Sequence, residues 1–249
     1  MALIRYASYT DQGGRARNED TVACRRLNAD RLCVALGDGL GGHGKGEEAS
    51  AAAVRAILAG WSGAADPAEL KALVGRAHRA VLALQSPACR MKTTAAVLAL
   101  EPGRCAWAYA GDSRIYRFEG GRLAWQSRDH SASQIAVLLG QITPDQIRFH
   151  EDRACIYRAL GQEGDLEADG GETALPAGDC AFLLCTDGFW EYVLEEEMEQ
   201  TLAAADSPQA WLAAMRALRR QKAPPNSDNN TAVALWLRAE PEEHREEND

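Results

Sequence analysis

The residues most able to do chemistry are a set of acids, each placed where an apolar run begins or ends. Asp38 closes RLCVALGD, Asp112 stands in GDSR between two apolar runs, and Asp187 follows AFLLC in CTDG. Asp228 precedes TAVALWL in SDNN, and Glu19 and Asp20 open another run from NED. A single aspartate at a strand tip is usually a turn residue whose side chain bonds nearby backbone. Several gathered at one sheet edge would repel one another, and that repulsion calls for a cation. An all-oxygen donor set suits hard ions, Mn2+ or Mg2+, rather than zinc.

The glycines around Asp38 offer a competing chemistry. Gly37, Gly39 and Gly42 meet the G-x-G-x-x-G spacing of a dinucleotide loop, and Gly39, Gly44 and Lys45 meet the G-x-x-x-x-G-K spacing of a phosphate-binding loop. Neither template survives its context. The first requires, after one helix, a strand carrying an acid about twenty residues further on; here residues 60–84 read as helix. The second requires a hydroxyl after the lysine, and Gly46 has none. What remains is a strand that delivers Asp38, followed by glycines that allow close approach of backbone or ligand.

The elements that must position these acids follow from the hydrophobic pattern. Apolar strand-like runs occur at Thr21–Leu27, Arg31–Leu36, Thr93–Leu100, Arg104–Ala110, Ser113–Phe118, Arg122–Gln126, Ala181–Cys185 and Thr231–Leu237. Helical spacing predicts helices at Glu47–Leu58, at Pro67–Leu84 with a stripe of Leu70, Leu73, Val74, Ala77, Val81 and Leu84, and at Pro208–Arg220. Strands, then two helices, then a long run of strands suit α+β layers better than a βαβ repeat. Residues 86–92, 127–158 and 223–230 read as irregular, and the acidic tail 239–249 as disordered.

Composition bounds the function. With 249 residues, 46% of them hydrophobic, the chain can bury a substantial core in one domain, and a net charge of −9 argues against a nucleic-acid binder. No run of residues has the length or hydrophobicity of a signal peptide or a membrane helix. The seven cysteines form no C-x-x-C pair and read as reduced core thiols, which points to a soluble cytoplasmic protein without a membrane partner.

Taken in order, TDQGGRARNED, LGDGLGGHGKGEEAS, TTAAVLAL, AYAGDSRIYRF, SRDHS, RALG, LLCTDGFWEYV and DNNTAVAL resemble the metal-dependent protein phosphatases of type 2C, in their bacterial stand-alone form. The resemblance runs from Tyr9 to Leu237. It implies a four-layer α-β-β-α sandwich with two central antiparallel sheets, as a catalytic domain over residues 1–238 with a flap at about 127–158. It also implies hydrolysis of phosphoserine and phosphothreonine in proteins by a hydroxide bridging two Mn2+ or Mg2+ ions, in opposition to a bacterial Ser/Thr kinase. Carried over by position, Asp38 bridges the two ions and Asp187 and Asp228 complete the first. The Gly39 carbonyl serves the second, Glu19 and Asp20 hold metal-bound waters, and Asp112 shares a third, weaker site with Asp187.

The chain departs from the family pattern at two places. Gly13 and Arg15 are one residue closer than the family's G-x-x-R spacing, so Arg15, which keeps its interval to Asn18, is the preferred phosphate clamp and Arg17 the alternative. Leu40 stands where eukaryotic relatives carry a proposed general acid; His43, three residues on as in bacterial relatives, is the candidate for proton transfer, with metal-bound water as the alternative. The rival readings are a phosphoprotein-binding pseudophosphatase, which would be expected to have lost metal ligands, and a nucleotide-binding protein using the glycine loop. A monomer is expected.

Overall fold

The computed structural model describes residues 3–176 and 178–238. The tail 239–249, expected to be disordered, lies outside the described residues. Ten strands form two sheets: β1 (Leu3–Asp11), β6 (Arg114–Glu119), β7 (Arg122–Gln126), β9 (Cys180–Cys185) and β10 (Asn230–Arg238) in the order β1-β10-β9-β6-β7, and β2 (Asp20–Arg26), β3 (Leu32–Asp38), β4 (Ala95–Glu101), β5 (Arg104–Ala110) and β8 (Asp169–Ala174) in the order β2-β3-β4-β5-β8. Every pairing is antiparallel.

Side-chain alternation builds the layers. In β3, Leu32, Val34 and Leu36 join Val233, Leu235, Phe182 and Leu184 of the other sheet in a core between the sheets. Cys33 and Ala35 point the opposite way, where Ala95, Val97 and Ala99 of β4 meet Val54, Ile57, Leu70 and Val74 of the helices α1 (Gly46–Gly60) and α2 (Pro67–Leu84). On the far side, Trp236 and Ala234 of β10 pack on Met198, Trp211 and Met215 from α5 (Glu195–Ala204) and α6 (Pro208–Lys222). Both faces of each sheet are therefore covered, which is why β3 and β4 read as continuous apolar runs. This is the expected α+β four-layer arrangement.

Local signals set the helix starts. Asp66 accepts a hydrogen bond from the Ala68 amide at 2.8 Å and Ser207 from Ala210 at 3.1 Å, each followed by proline in the first turn. The last residue of the α2 stripe, Leu84, is 50% exposed because the helix ends there. Two strands are not among the runs expected from sequence. β8 is DGGETA, an edge strand formed by its pairing with β5, and β1 alternates around Arg5 as the edge partner of β10. Segment 127–158 contains α3 (Ala132–Leu138) and a 3-10 stretch, Pro144–Phe149, in keeping with short helical pieces among turns. The thiols are less uniform than expected: Cys33, Cys105, Cys180 and Cys185 are buried, but Cys24 and Cys89 are half-buried and Cys155 is exposed.

Candidate functional site

Antiparallel neighbours place the end of one strand beside the start of the next, so acids at strand tips arrive together. In one sheet Asp20 at the start of β2 pairs with Asp38 at the end of β3, while β4 begins beside the end of β5 with Ala95 opposite Ala110. In the other, Cys185 at the end of β9 pairs with both Arg114 and Ala232. Asp187 opens the one-turn helix α4 (Asp187–Trp190), Asp112 sits two residues before β6, and Asp228 two before β10. Hydroxyls stitch the two edges: Thr186 Oγ1 donates to Asp20 Oδ2 at 3.0 Å, and Thr94 and Ser113 share a hydrogen bond at 2.6 Å. The Asp38 backbone is fixed by the two residues before β4, its amide donating to Thr94 Oγ1 at 3.0 Å and its carbonyl accepting from Thr94 N and Thr93 Oγ1.

Glu19, Asp38, Asp112, Asp187 and Asp228 line one cavity of about 600 Å³, with Asp20 buried behind Asp38. Burial, followed by the charges of Asp20, Asp187, Asp112 and Asp228, holds the Asp38 carboxyl well above the usual carboxylate range. Burial, then the charges of Glu191 and Asp228, pushes Asp187 up to about 7. Asp20 is likewise pushed up to about 7, chiefly by burial. Burial and the nearby Asp187 raise Asp112 well above its ordinary value. Mutual elevation of this kind marks a functional cluster rather than a structural ion-pair network, in which opposite charges would lower the values.

Two atoms show what the cluster lacks. Asp20 Oδ1 and Asp112 Oδ1 are fully buried and have no hydrogen-bond partner among the described residues. A buried carboxylate oxygen left unpaired is costly, and oxygen-only donors beside a polar cavity fit a hard divalent cation. The residues present therefore fit Mn2+ or Mg2+. Among the described residues, no three or more His, Cys, Asp or Glu side chains are drawn together closely enough to hold an ion, so the fit rests on donor chemistry and on these two unpaired oxygens.

The glycine loop closes on protein rather than on a nucleotide phosphate. The Gly46 amide, at the start of α1, donates to Glu19 Oε1 at 3.1 Å, and the Gly39 amide to the Glu19 carbonyl at 3.1 Å. A Cβ on Gly39 would stand 2.4 Å from the Gly46 backbone, and one on Gly41 2.1 Å from the Glu19 carboxylate. An internal carboxylate thus occupies the helix N-terminus that a nucleotide phosphate would need. Lys45, the lysine of that template, pairs instead with Glu48 at 2.9 Å.

The remaining sequence candidates fall on the rim. Arg15 Nη2 donates to Asp228 Oδ2 at 2.7 Å, Arg17 Nη1 to Glu47 Oε1 at 2.8 Å, and both arginines line the cavity. Arg15 is therefore tied to the acid cluster, and Arg17 to α1. His43 ends the 3-10 turn Gly41–His43, and its side chain lies outside the described ones. Ala154 and Ile156 bring the expected flap to the cavity, and Ala159 and Gln162 extend that wall beyond residue 158.

Several contributors have no role in the sequence reading. Thr94, Ser113 and Thr186 tie the strand tips, and the hydroxyls beside each tip were the available signal. Asn229 accepts from the Glu19 amide and donates to the Gln12 and Arg17 carbonyls, pinning residues 12–19 against the start of β10. Under Asp112, buried Arg114 makes a two-pronged ion pair with Asp129 at 2.8 and 2.7 Å and lies 3.6 Å over the Trp190 ring, whose Nε1 donates to the Asp112 carbonyl.

The family model for protein phosphatase 2C matches residues 12–238. The serine/threonine protein phosphatase PstP of Mycobacterium tuberculosis is 32% identical over 239 residues, which cover 93% of this chain and 44% of PstP. This chain thus spans less than half the length of that relative. Protein phosphatase PhpP of Streptococcus pneumoniae is 30% identical over 210 residues, covering 81% of this chain and 85% of PhpP. Among solved structures, the catalytic domain of PstP in complex with two manganese ions superposes with a TM-score of 0.79 at 30% identity, covering 96% of this chain and all of that one.

Proposed function

The chain belongs to the protein phosphatase 2C family, and on that premise we propose that it removes phosphate from phosphoserine and phosphothreonine in proteins with the help of divalent metal ions. One observation carries the reading: acids from both sheet edges converge on one cavity, where burial and neighbouring charges raise the Asp38 and Asp112 carboxyls, and two buried carboxylate oxygens have no partner among the described residues.

Asp38, Asp187 and Asp228 are the residues that would hold two ions, Mn2+ or Mg2+, with Asp38 shared and the Gly39 carbonyl contributing to the second. Asp112 would serve a third ion with Asp187, and Glu19 and Asp20 would orient water. Bound divalent ions lower the pKa of water and neutralise phosphoryl oxygens during in-line displacement. The protein supplies position and charge. Thr93 and Thr94 hold the Asp38 backbone, so its carboxylate does not drift as its neighbours ionise. Arg15, which lines the cavity and pairs with Asp228, would grip two phosphoryl oxygens as a planar guanidinium can. Arg17 is drawn aside by Glu47. Proton delivery to the leaving alkoxide falls either to His43, on its position in the sequence, or to water.

Residues 1–238 act as one catalytic domain with the segment at about 127–158 as its flap, in a monomer that works in the cytoplasm against a Ser/Thr kinase. No helix among the described residues is long and apolar enough to cross a membrane. Nucleotide binding at the glycine loop is disfavoured because Glu19 occupies that helix start. The test is hydrolysis of a phosphothreonine peptide and of p-nitrophenyl phosphate. Turnover is expected with Mn2+ or Mg2+ and abolished by EDTA; full activity in chelator would overturn the proposal.

A further inference from the structure

Among the described residues three cations line the cavity, and two of them are engaged: Arg15 by Asp228 and Arg17 by Glu47. The third, Lys92, is half-buried, and its ammonium has no hydrogen bond or ion pair with any described residue. An unpaired lysine is ordinarily a solvated surface group. Its backbone sets this one apart. The Lys92 carbonyl accepts from the Leu40 amide at 3.0 Å, and the next residue, Thr93, exchanges backbone hydrogen bonds with Leu160 and donates its hydroxyl to the Asp38 carbonyl. Lys92 is thus anchored where the glycine loop, the start of β4 and the chain following the flap meet. Arg15 is held by a different part of the lining, tied to Asp228 two residues before β10.

A phosphoryl group gripped by Arg15, which Asp228 holds, leaves Lys92, which is anchored by the Leu40 amide, free for a second group. A cavity of about 600 Å³ is within the range that encloses a ligand larger than one phosphorylated side chain, so a neighbouring residue of the substrate enters with it. The protein carries a net charge of −9, and an anionic substrate gains from local positive charge at the entrance. We propose that Lys92 selects substrates with a second negative charge beside the phosphorylated residue, either an acidic side chain or another phosphate. This rests on the phosphatase reading above.

The experiment measures kcat/KM with Mn2+ for phosphothreonine peptides flanked by neutral residues, by glutamate, by a second phosphate or by lysine. Wild-type protein is expected to favour the anion-flanked peptides over the neutral one by about threefold to tenfold, the range for one charge pair partly shielded from water. Salt should erode that preference. Lys92→Ala should bring the ratio close to one, Lys92→Arg should retain it, and Lys92→Glu should turn the preference toward the lysine-flanked peptide. Comparing the glutamate with the doubly phosphorylated peptide identifies which anion is preferred. A wild-type enzyme indifferent to flanking charge, or a Lys92→Glu variant with unchanged preference, would overturn the role of Lys92 while leaving the phosphatase reading intact. No hydrolysis of any peptide by wild-type protein with Mn2+ would instead overturn the phosphatase reading itself.

Discussion

Asp38→Asn is expected to lower turnover of a phosphothreonine peptide by roughly 10³-fold, the upper range for loss of one charge-stabilising group at a reacting centre, while making the metal-free protein more stable. The two effects share one cause. Asp38 lies among Asp20, Asp112, Asp187 and Asp228, and burial with their charges raises its pKa well above the ordinary value. A carboxylate raised in the folded state binds more protons there than in the unfolded chain, so its stabilising contribution is full below the unfolded pKa near 4 and is lost as pH rises through the folded value. For Asp20 and Asp187, both pushed up to about 7, that window runs from about pH 4 to pH 7. Metal-free wild-type protein should therefore lose stability across this window relative to Asp38→Asn, which removes one repelling charge from the cluster. Urea unfolding in EDTA at several pH values reads the difference. Other acids, such as Asp11 and Asp169, are lowered and act in the opposite sense, but they cancel between the two proteins. A variant with wild-type turnover, or with lower metal-free stability at pH 7, would contradict the cluster.

Arg114→Ala should be the most destabilising single change near the site. Its guanidinium is 4% exposed and its partner Asp129 2%, and it also donates to the Tyr116 hydroxyl and covers the Trp190 ring. Truncation leaves Asp129 buried without its counter-charge, which typically costs about 3–5 kcal/mol. For a chain of this length that corresponds to a fall in Tm on the order of 10 °C. Because Trp190 donates to the Asp112 carbonyl, the loss should also loosen the turn that carries Asp112. Denaturant unfolding checks the magnitude; a change below about 1 kcal/mol would mean that the pair behaves like a solvated surface bridge.

The acids were legible because each closes or opens an apolar run, a local signal that survives in one dimension. The layers were legible for the same reason: β3 and β4 are apolar on both faces since helices cover one and the other sheet covers the second. What escaped depends on partners far along the chain. β8 has no hydrophobic pattern and exists through its register with β5. Asn229 acts on Glu19 from 210 residues away, and the Arg114–Asp129 pair is recognisable only once β6 and the turn after β7 are folded together. The sequence reads the glycines as allowing close approach of backbone or ligand. In the fold the space at Gly39 and Gly41 is filled by the Gly46 backbone and Glu19, a packing demand that no spacing rule displays.

Calorimetric titration of Mn2+ into chelator-stripped protein near pH 7 tests the central claim most directly. Wild-type protein is expected to bind at least two ions with release of protons, because burial and neighbouring charges push Asp20 and Asp187 up to about 7 and carboxylates must be deprotonated to bind metal. Asp38→Asn should lose most of that binding. Absence of Mn2+ binding to wild-type protein, or undiminished binding to Asp38→Asn, would contradict the assignment of this carboxylate cluster as the metal site.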